Sequence, residues 1–277
     1  MSRNPKRDWS ATLPGGIPIE GILPDSLIAR RALELVTGHN SMPVEAVVQK
    51  AMANQLRLCI QKIGGREVSW SKLRGKLLDH FLDPKQQHLI RRMFQQLTDP
   101  SEAEVKFMHD SLAIENDDGE WAWSGKMLCG EALDAWIDAN EKRAEAEALL
   151  EMDPDDEDGA LRRFEEAVAA LDGANEKAIT VHGTIPNTNV IQRAIEQIPA
   201  EARKKPALSR KESSENLVRL CITEIAGTAV GFSELKGTGI DTWLHPKEQT
   251  LIAHALMELG TPQAEEEADF LATITQG

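Results

Sequence analysis

Apolar residues recur at three- and four-residue steps along most of this chain. After Pro24, Leu27, Ile28, Ala32 and Leu35 share one helical face, with Asp25 or Ser26 placed to cap it. From Val44, the positions Val48, Met52, Leu56, Cys59, Ile60 and Ile63 predict a long helix, ended by Gly64-Gly65 because glycine takes the left-handed cap conformation without penalty. A short connector, REVSW, then leads to a helix over Leu73, Leu77, Leu78 and Phe81 capped by Ser71. The best-specified element follows. Asp83 is an N-cap, Pro84 sits where a missing N–H costs nothing, Gln86 completes a capping box, and Leu89, Ile90, Met93, Phe94 and Leu97 form one stripe. A further helix is predicted over SEAEVKFMHDSL.

The pattern changes to alternation near Ile114, Trp121 and Trp123, which flank a DDG turn signal and read as a small β-hairpin near 112–123. Helical spacing then resumes in two stretches either side of DPDDEDG, which predicts a helical hairpin. The first twenty residues, with three prolines and basic side chains, read as an arm of turns and extended backbone.

Much of this pattern occurs twice. Displaced by 162 positions, residues 54–100 align with 216–262 without a gap, and 20 of 47 positions are identical. The match extends upstream, pairing residues 21–36 with 183–198, so each copy is roughly 85 residues, the size of a small domain. The expected fold class is therefore mainly α: a tandem duplication of a helical module separated by an acidic helical hairpin. The expected division is an arm (1–20), module 1 (21–123), the hairpin spacer (124–181) and module 2 (182–277). Between the copies, Arg91-Arg92 becomes Ala253-His254 and Gln95-Gln96 becomes Met257-Glu258, which predicts different exposed surfaces on a shared fold.

Charge sharpens this picture. The net charge of -14 belongs to the spacer. Residues 106–181 hold 7 basic against 21 acidic side chains, while residues 20–105 hold 12 against 10. Module 1 thus gathers a basic face, Arg66, Lys72, Arg74, Lys76, Lys85, Arg91 and Arg92, as candidate contacts for a partner or for nucleic-acid phosphates. The absence of a long apolar run argues against a membrane span, and an odd number of scattered cysteines fits reduced thiols in the cytoplasm.

No catalytic, cofactor or metal pattern emerges. The seven histidines form no HExxH pair, and GxSxG, P-loop and GxGxxG motifs are missing. Asp153–Gly159 departs from a calcium loop, with glycine at the seventh position and Phe164 at the twelfth, and reads as a solvated turn. Cys59 and Cys221 recur in an apolar stripe, as small buried hydrophobes would. Gly75 and Gly237 lie inside helical patterns, where close helix–helix approach would offset their cost. Arg57 with Asp79, and Arg219 with Asp241, recur on helices flanking the connector and are expected to form structural ion pairs. The expected function is a non-enzymatic adaptor or scaffold binding proteins, and the alternative is a nucleic-acid-binding regulator of winged-helix type.

Overall fold

A computed structural model of the protein describes residues 2–38, 42–117, 120–152 and 157–260. Its elements run in the order β1 (Asp8–Leu13), β2 (Ile17–Ile22), α1 (Ser26–Glu34), α2 (Val44–Cys59), β3 (Ile60–Ile63), β4 (Arg66–Glu67), α3 (Trp70–Leu73), a 3₁₀ turn (Gly75–His80), α4 (Pro84–Thr98), α5 (Glu102–Asp110), β5 (Ala113–Asp117), β6 (Glu120–Met127), α6 (Glu131–Met152) and α7 (Glu157–Asn175). The second copy then follows as β7 (Ile179–Thr184), α8 (Thr188–Glu196), α9 (Ala200–Arg203), α10 (Pro206–Cys221), β8 (Ile222–Ile225), β9 (Thr228–Ala229), α11 (Phe232–Leu235), a 3₁₀ turn (Gly237–Thr242) and α12 (Pro246–Leu259).

A mainly α fold with one small hairpin is not what forms. Helices dominate, but the strands assemble two sheets, ordered β1-β2-β3-β4 and β5-β6-β7-β8-β9. The arm expected over 1–20 contains β1 and β2, an antiparallel hairpin turning through Gly15 and Gly16, both at positive φ. The helix expected to reach Ile63 stops at Cys59 and passes directly into β3. A helical stripe and a buried strand both satisfy the spacing of Leu56, Ile60 and Ile63, and a neighbouring strand decided between them: β3 pairs with β2, whose Ile19 faces Ile63. Gly64-Gly65 therefore turns a hairpin into β4 instead of capping a helix.

The duplication is reproduced element by element. β2 and β7, α1 and α8, α2 and α10, β3 and β8, α3 and α11, and both 3₁₀ turns differ by 162 in every bound. Equivalent side chains make equivalent bonds. Asn54 Nδ2 donates to Ala32 O and Asn216 Nδ2 to Ala194 O, each at 3.1 Å. Asp25 caps α1 through Ile28 N, and Asn187 caps α8 through Val190 N. Gly75 and Gly237 take φ of 56° and 60° where α3 and α11 end, so conformation, and not the expected close helix approach, is what requires glycine there. The connector helix has Ser69, not Ser71, at its N-cap position, without a side-chain capping bond, and ends after four residues. Asp83, Pro84 and Gln86 form the expected capping box.

The chain divides into two compact units. One takes in residues up to 100, 184–223 and the stretch from 229; the other comprises 101–183 and 224–228. The helices of both copies thus belong to one unit and are not held apart by the acidic hairpin. Leu33, Val36, Val47 and Ala51 of copy 1 share a core with Ile198, Ala202 and Leu208 of copy 2. A larger core under the first sheet gathers Trp9, Ile19, Leu56, Cys59, Leu73 and Ile90. Gly21 is essential to it: a Cβ there would lie 2.4 Å from Cys59 O and 2.5 Å from the Trp9 ring. In the second unit, β5 pairs with β6 as expected, α6 packs along α7, and Phe107, Leu128, Leu133 and Ala174 form the core. The Asp153–Asp156 part of the acidic turn lies outside the described residues. Among the described residues no helix is long and apolar enough to cross a membrane.

Candidate functional site: a cleft lined by both copies

Within the first unit like packs on like, α2 against α10 and α4 against α12. Between these four helices lies a cleft of about 660 Å³. The duplicate helices present the same face to it. Gln49 and Lys211, Ala53 and Glu215, and Leu56 and Val218 line it from α2 and α10; Arg91 and Ala253, Arg92 and His254, and Gln95 and Met257 line it from α4 and α12. Of the positions that differ between the copies, Arg91, Arg92 and Gln95 with Ala253, His254 and Met257 thus face one shared space, and Gln96 and Glu258 are not in its lining. Leu56, Phe94, Val218 and Ile240 are buried in its lining, and Met52 and Met257 are exposed there.

The two walls differ in charge pairing. On the copy 2 side, the Arg219 side chain is only 2% exposed and donates through Nη2 to Gly237 O at 2.9 Å, Ser26 Oγ at 3.3 Å and Glu215 Oε2 at 3.3 Å. Asp241 accepts from Ser26 N at 3.0 Å and from Gln249 Nε2 at 3.1 Å. Lys211 pairs with Glu215 one helical turn away. Burial, reinforced by the nearby Arg219 charge, brings Lys211 down to about 8, against the opposing pull of Glu212 and Asp241. Asp25 is committed to the α1 cap and to Arg7, 3.4 Å away. Arg91 and Arg92, on the copy 1 side, are exposed and make no ion pair or side-chain hydrogen bond among the described residues.

The expected Arg57–Asp79 and Arg219–Asp241 pairs do not form as direct contacts. Asp79 holds Gln87 Nε2 at 2.8 Å, as Asp241 holds Gln249, and Arg219 reaches Ser26 beside Asp241. Arg57 keeps a buried Nε without a hydrogen-bond partner, and its pKa is lowered by burial and then by Arg91, with Asp79 acting the other way. The two aspartates share an equally recurrent glutamine partner, Gln87 and Gln249, while the two arginines differ: Arg219 bonds Gly237 O, Ser26 and Glu215, and Arg57 Nε has no partner. In the sequence Ser26 stands out only as a candidate cap of α1, and Lys211 and Glu215 carry no motif. Their signal was faint: Lys211, Glu215 and Arg219 sit four apart on one helix face.

The remaining basic candidates sit on successive elements of copy 1: Arg66 on β4, Lys72 on α3, Arg74 just after it, Lys76 in the 3₁₀ turn and Lys85 in the first turn of α4. All are exposed, and Lys72 donates to Glu67 O. Only Arg91 and Arg92 of the set line the cleft. Cys59 and Cys221 are fully buried; burial pushes the Cys59 thiol far up and the Cys221 thiol up to about 12, which leaves both protonated and unreactive at neutral pH. Among the described residues no group of three or more His, Cys, Asp or Glu is placed to hold a metal ion. Comparison with protein-family models, curated proteins and solved structures finds no match to this chain.

Proposed function

We propose that the chain is a non-enzymatic adaptor that holds an amphipathic protein segment in the cleft between its two copies. One observation carries this reading: a cleft with a buried apolar lining in which the copy 2 charges are committed to intramolecular bonds, while Arg91 and Arg92 are not. A segment with an apolar face and an acidic edge complements that arrangement. Met52 and Met257, unbranched and polarisable, suit a lining that adapts to its ligand. Affinity purification of the full chain from its native host, followed by mass spectrometry, tests the reading. A partner retained by the wild type and lost by Met52→Glu with Met257→Glu supports it. A partner retained equally by that variant and by Arg91→Glu with Arg92→Glu excludes the cleft.

A second reading, nucleic-acid binding through Arg66, Lys72, Arg74, Lys76, Lys85, Arg91 and Arg92, draws on the exposure of all seven side chains. It requires affinity for oligonucleotides that falls steeply with salt as counterions are released. Fluorescence anisotropy at low salt with duplex and single-stranded probes decides it, and absence of binding there removes the reading.

A further inference from the structure

The segment before β1 docks on copy 2. Asn4 N donates to Thr242 O at 2.7 Å, Arg3 Nη1 donates to Trp243 O at 2.9 Å, and the Arg3 guanidinium grips the buried Glu248 carboxylate through two bonds of 2.9 and 3.1 Å. Trp243 and Leu251 are 8% and 1% exposed. The corresponding surface of copy 1 has no such cover. Phe81 and Leu89, the counterparts of Trp243 and Leu251, are 39% and 37% exposed, and Leu77, which stands where copy 2 has Gly239, is 38% exposed. Among the described residues no hydrogen bond reaches the carbonyls of His80 and Phe81, the counterparts of the two that the N-terminal segment engages.

Charge separates the two surfaces further. The anchoring Glu248 is replaced by Gln86, whose side chain is occupied by Asp83 N and Pro14 O, so an arginine has nothing to grip. Lys76 and His80 stand where copy 2 has Thr238 and Thr242, and Lys85 is retained as Lys247. Asp79 and Asp83 are engaged by Gln87 and by the α4 cap. We infer that the Leu77, Phe81 and Leu89 surface is a docking site for an extended acidic peptide of a partner protein. The peptide would donate a backbone N–H to His80 O, as Asn4 does to Thr242 O in copy 2, cover the three apolar side chains, and set carboxylates against Lys76 and Lys85. This surface is separate from the cleft and stands without it.

Fluorescence anisotropy on the full chain tests the inference with two labelled peptides: residues 2–9 as they stand, and the same peptide carrying Arg3→Glu, Lys6→Glu and Arg7→Glu. The acidic peptide binds about tenfold or more tightly than the native-sequence peptide, Lys76→Glu with Lys85→Glu weakens it about tenfold, and Phe81→Glu abolishes it. Leu89→Ser serves as a second apolar variant, and circular dichroism establishes that each variant is folded. The cleft variant Met52→Glu with Met257→Glu leaves this binding unchanged. Equal binding of both peptides, or full binding by folded Phe81→Glu and Leu89→Ser, overturns the inference. So does displacement of the acidic peptide by a single-stranded oligonucleotide, or a sedimentation coefficient that rises with concentration in the wild type but not in Phe81→Glu, which would give the surface to nucleic acid or to a second copy of the chain.

Discussion

Copy 1 and copy 2 keep the same arginine, aspartate, asparagine and glutamine at four equivalent positions, and the internal bonds of these residues match in part. Asn54 and Asn216 bond equivalent carbonyls, Ala32 O of α1 and Ala194 O of α8, and Gln87 and Gln249 bond equivalent aspartates. Their surroundings differ. Ser26, from the start of α1, bonds both Arg219 and Asp241, and both are buried. Arg57 and Asp79 have no such visitor, so Asp79 stays exposed and Arg57 half-buried. Duplication thus transmits the local frame, while the dielectric around each charge is set by what a distant segment lays over it. Copy 2 has been completed by copy 1 and by the N-terminal segment; copy 1 keeps an open face at Leu77, Phe81 and Leu89 and supplies the unpaired Arg91 and Arg92 to the shared cleft.

The largest test of this contrast is the arginine itself. Arg219→Ala strands buried acceptors and is expected to cost about 3 kcal/mol, whereas Arg57→Ala, without a hydrogen-bonded partner at Nε, is expected to cost below about 1 kcal/mol. Urea unfolding of both variants would break the contrast if the two costs were equal. Next come the asparagines. Asn216→Ala, at a buried site, is expected to cost about 2 kcal/mol against about 1 kcal/mol for the half-buried Asn54→Ala, measured the same way.

Smaller effects separate the hairpin turns. Gly64 and Ala226 occupy equivalent positions at φ of 58° and 50°, a region disfavoured for any residue bearing a Cβ. Gly64→Ala is therefore expected to destabilise by about 1 kcal/mol, and Ala226→Gly to stabilise by about 0.5 kcal/mol after its added unfolded-state entropy is subtracted. Thermal melts of the two variants should move in opposite directions. A pH dependence confined to one copy separates the two in a different way. Lys211 falls to about 8 when folded, below its unfolded value, so between the two the unfolded chain binds more protons and stability rises with pH. Below about 8 both states are charged and the contribution is flat. The wild type should thus gain stability relative to Lys211→Met from pH 8 to 10, with no such trend for Gln49→Met at the equivalent position. A flat difference for Lys211 would show that it remains charged in the cleft.

What the sequence settled by itself was whatever a few neighbouring residues can enforce. A cap at Asp25 or Ser26, the capping box of Asp83, Pro84 and Gln86, and the hairpin over β5 and β6 all follow from contacts within a handful of positions. A helix closes its hydrogen bonds within four residues, and a tight hairpin within its turn. A strand such as β3 must find its partner elsewhere; here that partner is β2, about forty residues earlier, and Gly21 is what lets Trp9 and Cys59 close around it. Only tertiary structure decided that Ile60 and Ile63 would leave the helical period, that the substituted positions of α4 and α12 would face one cleft, and that Arg219 would be buried while Arg57 stayed open. Each depends on a long-range partner that no spacing along the chain reports.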